Sequence, residues 1–186
     1  MPSRKELFSI PNIICYFRIL LVPIFMYVYL AAETEGDYLM SAGILTLSGL
    51  SDFLDGYIAR KYNMITDWGK LIDPIADKLT QFVCACLLVY TYPAYWVLLI
   101  IIVVKDIMLA VAGMYIYKKT GRRMDGAQLP GKIATAVFFV VSISLIAFHV
   151  PGTLISRVMI IVTAFLMFTA MVYYAKDLYQ LYVQRD

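Results

Sequence analysis

Residues 52–77 read DFLDGYIARKYNMITDWGKLIDPIAD, and this stretch places two pairs of aspartates inside or beside long apolar segments. The first pair is Asp52 and Asp55, and the second pair is Asp73 and Asp77. A carboxylate at membrane depth costs about 2.5–3.5 kcal/mol even on the more lenient insertion scale. Packing does not explain four such groups so close together, whereas a divalent cation site does, and the cation in turn indicates a phosphate-bearing substrate.

The composition indicates a membrane protein. Of the 186 residues, 62% are hydrophobic and 16% are charged, whereas soluble domains have about 45–50% apolar and 25% charged residues. We therefore predict an all-α integral membrane protein, a six-transmembrane helix bundle with one domain over residues 1–186. A short amphipathic surface helix is expected over residues 1–9. The six apolar segments, each near the ~20 residues that cross the hydrocarbon core, are approximately 10–31, 38–60, 70–92, 94–117, 130–150 and 153–175.

The distribution of charge predicts the orientation. With six spans, both termini and the loops at 61–69 and 118–129 lie on one side of the membrane. Arg157 is the one basic residue near the opposite side, which also has the acidic loop at 33–37. The positive-inside rule places that first side, with the aspartate motif, in the cytoplasm of a cell whose inner or plasma membrane holds the chain. The net charge of +3 reflects this asymmetry, and nothing indicates a nucleic-acid partner. The basic residues of that side are Arg4, Lys5, Arg60, Lys61, Lys70, Lys118, Lys119, Arg122, Arg123, Lys132, Lys176 and Arg185.

Both aspartate pairs have helical spacing. Asp52 and Asp55 are three residues apart and Asp73 and Asp77 are four apart, so each pair lies on one face of a helix. The short connecting loop makes the two helices antiparallel neighbours, and the four carboxylates are then expected to converge. Ligands that are all oxygen suit a hard cation such as Mg²⁺, and no histidine or cysteine in the stretch favours zinc.

Small and cationic residues complete the stretch. Gly56 and Gly69 leave the helix surfaces bare, which allows a backbone or a flat ligand to approach closely. Arg60 lies at the mouth of the expected site, where its guanidinium is available to a phosphate. Pro74 is expected in the first turn of the third helix, where a missing N–H costs little.

Eight positions of the stretch match a known signature. The pattern D-x2-D-G-x2-A-R-x8-G-x3-D-x3-D, from Asp52 to Asp77, resembles that of the CDP-alcohol phosphotransferase family at every position. The resemblance implies that an acceptor hydroxyl attacks the phosphorus bearing the diacylglycerol of CDP-diacylglycerol, and that CMP leaves. It also implies two Mg²⁺ or Mn²⁺ ions, contact with membrane lipids and a homodimer. Upstream, Ile10-Pro11-Asn12, Arg18 and Pro23 resemble the first span of its phosphatidylglycerophosphate synthase and cardiolipin synthase branches.

The resemblance also assigns roles to matching positions. Asp77 would be the general base that takes the proton of the acceptor hydroxyl, and it would also ligate metal. The two ions would bridge the pyrophosphate and neutralise the charge on the leaving phosphate. The implied metal ligands are Asp52, Asp55, Asp73 and Asp77, and the implied CDP-binding residues are Asp52, Gly56, Ala59, Arg60 and Gly69.

The motif leaves two acceptors open. Phosphatidylglycerophosphate synthases carry further cations in spans four and five, and this chain has Gly113 and Ala134 at two of those positions. The stretch from Lys105 to Leu109 resembles instead a segment of cardiolipin synthases, which use phosphatidylglycerol. We predict glycerol 3-phosphate, with phosphatidylglycerol as the alternative. The candidate acceptor-binding residues are Lys105, Arg122, Arg123 and Lys132.

Other protein classes also place acidic clusters in membranes. A cation transporter is the distant alternative, but such carriers usually repeat a motif in two halves, whereas this chain has one motif in one half. A prenyltransferase with aspartate-rich motifs would be longer and have more spans.

Two single residues outside the motif also need an interpretation. For Arg18, snorkelling to the cytoplasmic face and a role at the substrate entrance are equally compatible with the sequence. We interpret His149 as an interfacial residue.

Overall fold

The computed structural model describes residues 7–120 and 129–183, and these ranges contain six long α-helices. The all-α prediction is therefore confirmed, and each helix overlaps one predicted apolar segment. The predicted amphipathic helix over residues 1–9 falls mainly on residues outside the described ranges. The helices are α1 (Ile10–Leu30), α2 (Glu35–Lys61), α3 (Gly69–Thr91), α4 (Tyr95–Thr120), α5 (Leu129–Phe148) and α6 (Leu154–Val183).

The described part of the chain contains four helices that are long and apolar enough to cross a membrane, namely α1, α4, α5 and α6. Large apolar side chains on these helices are exposed, among them Leu20, Val111 and Phe165 at 63–65%. Such surfaces suit contact with lipid. The chain is therefore a membrane protein with several apolar helices. Helices α2 and α3 are less apolar because they carry the aspartates of the motif.

Local sequence explains where α2 begins. Thr34 is the N-cap, and its Oγ1 accepts a hydrogen bond from the Asp37 backbone N–H at 3.3 Å. The Asp37 carboxylate accepts one in return from the Thr34 backbone N–H at 2.9 Å. This reciprocal capping box satisfies two amides that the helix leaves free, and the bonds from Thr34 lower the pKa of Asp37.

The position of Pro74 corrects one prediction. Helix α3 begins at Gly69, so Pro74 is its sixth residue and lies inside the helix, not in the first turn. A proline here lacks the N–H that would bond to the carbonyl oxygen of Lys70. The expected place in the first turn is therefore wrong, and the reason given there for a low cost does not apply to the sixth residue of a helix.

The chain forms two compact units. The first comprises Met1–Tyr90 and Ser142–Val150, and the second comprises Thr91–Val141 and Pro151–Asp186. In the first unit α1 packs against α2, with Phe25 and Leu45 buried. In the second unit α4 packs against α6, with Leu98 and Met167 buried. The single domain over residues 1–186 stays a prediction.

Candidate active site

The end of α2 and the start of α3 bring the four motif aspartates together in the first unit. Carboxylate oxygens of Asp52, Asp73 and Asp77 all lie within 4.8 Å of one another. A second group joins Asp55 and Asp73 with the Cys15 thiol at the same spacing. The convergence expected from the two helical stripes is therefore present, and Asp73 belongs to both groups.

An arginine from α1 lies inside this carboxylate cluster. Arg18 Nη1 is 2.7 Å from Asp52 Oδ1 and also contacts Asp77 Oδ1. Its Nη2 is 2.5 Å from Asp55 Oδ2 and 3.4 Å from Asp73 Oδ1. The Arg18 side chain is 1% exposed. The sequence suggested that Arg18 either snorkels to the cytoplasmic face or lies at the substrate entrance. Neither interpretation predicted that its guanidinium pairs with all four carboxylates.

A hydrogen-bonded junction holds the start of α3 against α1. Asn12, which is buried, donates from Nδ2 to Thr66 Oγ1 at 3.2 Å. The same Thr66 oxygen accepts a hydrogen bond from the Gly69 backbone N–H at 2.9 Å. Nearby, Trp68 Nε1 donates to the Tyr16 hydroxyl at 2.8 Å. Sequence reasoning gave no role to Thr66, Trp68 or Tyr16, since none belongs to the aspartate pattern.

A cavity of about 190 Å³ lies beside the carboxylate cluster. Asp55 and Asp73 form part of its wall. Two basic residues, Arg60 and Lys70, also line it. Lys70 also pairs with the exposed Asp67 at 2.9 Å, and this hydrogen bond lowers the pKa of Asp67. Four of the five residues predicted to bind CDP line the cavity, namely Gly56, Ala59, Arg60 and Gly69.

The two glycines of the motif serve different purposes. A Cβ at Gly56 would lie 3.5 Å from the Arg60 guanidinium, which is an ordinary contact. A Cβ at Gly69 would lie 2.6 Å from Asn12 Oδ1 and 3.0 Å from Thr66 Oγ1. A side chain at 69 would therefore force the hydrogen-bonded Asn12 side chain to shift, whereas at 56 the packing leaves room for a methyl group.

This difference predicts opposite effects of two alanine substitutions on stability. Gly69→Ala should destabilise the protein by about 1–3 kcal/mol, the usual cost of overpacking, because Asn12 must move. Gly56→Ala should leave stability unchanged or raise it by about 0.5–1 kcal/mol, since alanine suits a helix better than glycine. Thermal unfolding of both variants in the same detergent tests this. Equal losses of stability would contradict the packing role of Gly69.

The donor set of the cluster fits a hard divalent cation. Opposite ligand oxygens around an octahedral Mg²⁺ are about 4.2 Å apart, so carboxylates already within 4.8 Å need only small adjustments. Cys15 is a soft donor, and hard cations prefer oxygen to sulfur. We therefore regard Cys15 as a packing residue, in agreement with its burial.

The candidate acceptor residues divide between described and undescribed parts of the chain. Lys105, in the second unit, is 8% exposed, and its Nζ is 3.7 Å from Asp106 Oδ1. Lys132 is exposed in the first turn of α5. Beside it, Gly131 lies so close to the Tyr174 hydroxyl that a Cβ would clash. Arg122 and Arg123 lie outside the described residues.

Comparison with known proteins identifies the family. Residues 8–174 match the family model described as CDP-alcohol phosphatidyltransferase, so the chain belongs to the CDP-alcohol phosphatidyltransferase family. The predictions of this family and of an enzyme of its class are thereby confirmed.

Several relatives share one name, CDP-diacylglycerol–glycerol-3-phosphate 3-phosphatidyltransferase. The protein of Bacillus subtilis (strain 168) is 31% identical to this chain over 161 residues, which cover 81% of this chain and 82% of the relative. That of Wigglesworthia glossinidia brevipalpis is 26% identical over 140 residues, covering 74% and 76%. That of Aquifex aeolicus (strain VF5) is 36% identical over 118 residues, covering 60% and 61%.

Proposed function

We propose that this chain transfers a phosphatidyl group from CDP-diacylglycerol to glycerol 3-phosphate, releasing CMP and forming phosphatidylglycerophosphate. In this reaction the acceptor hydroxyl oxygen forms a bond to the phosphorus bearing the diacylglycerol, and the pyrophosphate bond to CMP breaks. The observation that carries the proposal is the convergence of four carboxylates beside a cavity lined by motif residues. The shared name of the relatives supports glycerol 3-phosphate as the acceptor.

The cavity beside the cluster is the proposed CDP site. Gly56 leaves it open on the α2 side, where a methyl group would fit but would narrow the space. The Arg60 guanidinium can bind a phosphate through paired N–H groups. The proposed CDP-binding residues remain Asp52, Gly56, Ala59, Arg60 and Gly69.

The carboxylate cluster is the proposed metal and proton-transfer site. Asp52, Asp55, Asp73 and Asp77 would hold two Mg²⁺ or Mn²⁺ ions, which when bound neutralise charge on the pyrophosphate. Asp77 would accept the proton of the attacking hydroxyl. Its side chain is 49% exposed, so an incoming acceptor can reach it.

The proposed acceptor pocket draws its positive charge from Lys105, Arg122, Arg123 and Lys132. The burial of Lys105 in an apolar helix supports this role, because a charge at membrane depth is costly and usually functional. The alternative acceptor is phosphatidylglycerol, and the sequence from Lys105 to Leu109 favours it.

The proposed membrane arrangement has six spans, with α2 and α3 crossing together with the four more apolar helices. Their lengths of 27 and 23 residues support this, since about 20 residues cross the hydrocarbon core. The excess of basic residues on one side supports a cytoplasmic active site and cytoplasmic termini in the inner or plasma membrane. We further propose a homodimer, on the family resemblance.

A panel of acceptors tests this function. Purified protein in detergent, given Mg²⁺ and CDP-diacylglycerol, should release CMP when glycerol 3-phosphate is added and should form phosphatidylglycerophosphate. Phosphatidylglycerol and serine should support far less release, because neither carries the small dianionic phosphate that the proposed pocket suits. Inositol phosphate should also support less, because the relatives are named for glycerol 3-phosphate. Release driven by phosphatidylglycerol alone would favour cardiolipin synthesis. Release with none of the four would contradict the transferase.

A further inference from the structure

We infer that Arg18 is an internal counterion of the carboxylate cluster, which competes with divalent cations for the motif aspartates and holds them together when no cation is bound. The inference rests on the proposed metal site, but it concerns a residue of α1 that the aspartate motif does not contain. It extends the proposed function because it makes cation affinity a property set by this arginine.

Both terminal nitrogens of Arg18 pair with carboxylates of two helices. Arg18 Nη1 contacts one aspartate from α2 and one from α3, namely Asp52 and Asp77. Nη2 does the same with Asp55 and Asp73. Each terminal nitrogen therefore links α2 to α3, so the planar guanidinium connects these two helices through two separate pairs of carboxylates. A point charge such as a lysine ammonium cannot reproduce this fork.

Arg18 lies deeper than three of its four carboxylate partners. The Arg18 side chain is 1% exposed, whereas those of Asp52, Asp73 and Asp77 are 44%, 46% and 49% exposed. The guanidinium thus lies beneath these three carboxylates, which present their outer sides to an arriving cation, whereas the Asp55 side chain is 5% exposed and lies at the depth of the guanidinium. A bound cation and the guanidinium would then share the same carboxylates and repel each other.

Two consequences of opposite sign follow for a variant without the guanidinium. The cation-free protein becomes less stable, because four neighbouring carboxylates repel one another without a partner. The affinity for a divalent cation rises, because a competing positive charge has been removed. A purely scaffolding arginine would act differently, since its loss would disorder the carboxylates and weaken cation binding. The direction of the change in affinity therefore separates the two roles.

Binding of Mn²⁺ to the purified protein, measured by electron paramagnetic resonance of the free ion, tests the inference without using activity. For Arg18→Gln we expect a Kd for Mn²⁺ about tenfold lower than that of the wild type, the size expected for a like charge a few ångströms away in a partly solvated site. In EDTA the thermal midpoint of the same variant should fall, and Mn²⁺ should recover most of it. Weaker or unchanged Mn²⁺ binding by Arg18→Gln would overturn the inference.

Two further variants complete the design. Arg157→Gln makes the same change at an exposed residue of α6 and should leave Mn²⁺ affinity and the thermal midpoint in EDTA unchanged. Arg18→Lys keeps the charge but reaches fewer oxygens, so its Mn²⁺ affinity should lie between those of the wild type and Arg18→Gln. If Arg18→Gln does not fold, Arg18→Lys decides, and weaker binding than the wild type overturns the inference.

The outcomes also separate this inference from the proposed function. Tighter Mn²⁺ binding by Arg18→Gln supports the counterion role even if the wild type releases no CMP with any acceptor. Absence of Mn²⁺ binding in every variant overturns the counterion role, whereas the acceptor panel judges the reaction independently.

Discussion

Replacing Asp77 by asparagine should lower the rate of CMP release by about 10²–10⁴-fold, the range that a positioned general base contributes. Asparagine has nearly the same shape as aspartate, but its amide cannot take the proton of the acceptor hydroxyl at neutral pH. The rate at saturating CDP-diacylglycerol and glycerol 3-phosphate measures the effect. The thermal midpoint of the variant should stay close to that of the wild type, because Arg18 keeps three other carboxylate partners.

A matched control and a cation titration make this result specific. Asp67→Asn changes an exposed loop aspartate that pairs only with Lys70 among the ion pairs of the described residues. Exposed pairs contribute about 0–1 kcal/mol, so this variant should turn over normally. If excess Mg²⁺ restores Asp77→Asn to the wild-type rate, Asp77 acts only as a metal ligand. Normal turnover of Asp77→Asn at all Mg²⁺ concentrations would contradict both of its proposed roles.

The helices were predictable because apolar length and turn chemistry are both local properties. The one large difference is at the end of α6, which was expected to stop near residue 175 but continues to Val183. The apolar run ends at Lys176 and Asp177. The helix continues beyond them because Lys, Gln and Leu, which occur in this segment, all favour helices. A hydropathy boundary marks where the membrane can end, and a helix can extend beyond it.

The aspartates of the site were predictable for the same reason, because each pair lies within one helical turn. The presence of Arg18 in the site was not predictable, because 59 positions in the sequence separate it from Asp77. Only the packing of α1 against the neighbouring helices brings the guanidinium to the cluster. One signal was nevertheless present in the sequence: Arg18 is the only charged residue between Ile10 and Leu30. A lone buried cation requires anions, and the motif supplies four.

The role of Gly69 shows a second limit of reasoning from a motif. The bare surface was expected to allow the close approach of a backbone or a flat ligand, and Gly69 does line the cavity. The closest atom to its missing side chain nevertheless belongs to Asn12. The spacing of a motif shows which positions are constrained, but tertiary contacts are needed to tell whether a ligand or a neighbouring helix imposes the constraint.

Removing divalent cations should reduce CMP release by at least about a hundredfold, since a metal contributes several kcal/mol to charge stabilisation and each 1.36 kcal/mol is a factor of ten in rate. Release should fall in EDTA and return on addition of Mg²⁺ or Mn²⁺, which are hard cations suited to carboxylates. The folded protein should persist in EDTA because Arg18 still pairs with the four aspartates. Full activity in EDTA would contradict the proposed metal site.

The number of ions can be read from the same titration. Asp73 belongs to both groups of candidate ligands, one with Asp52 and Asp77 and the other with Asp55 and the Cys15 thiol. Asp73→Ala should therefore weaken both proposed ion sites, whereas Asp55→Ala should weaken mainly one. With two ions required, the rate at low free Mg²⁺ should rise more steeply than in proportion to concentration for the wild type. A strictly proportional rise would support a single ion, and then Asp55 would serve chiefly as a partner of Arg18.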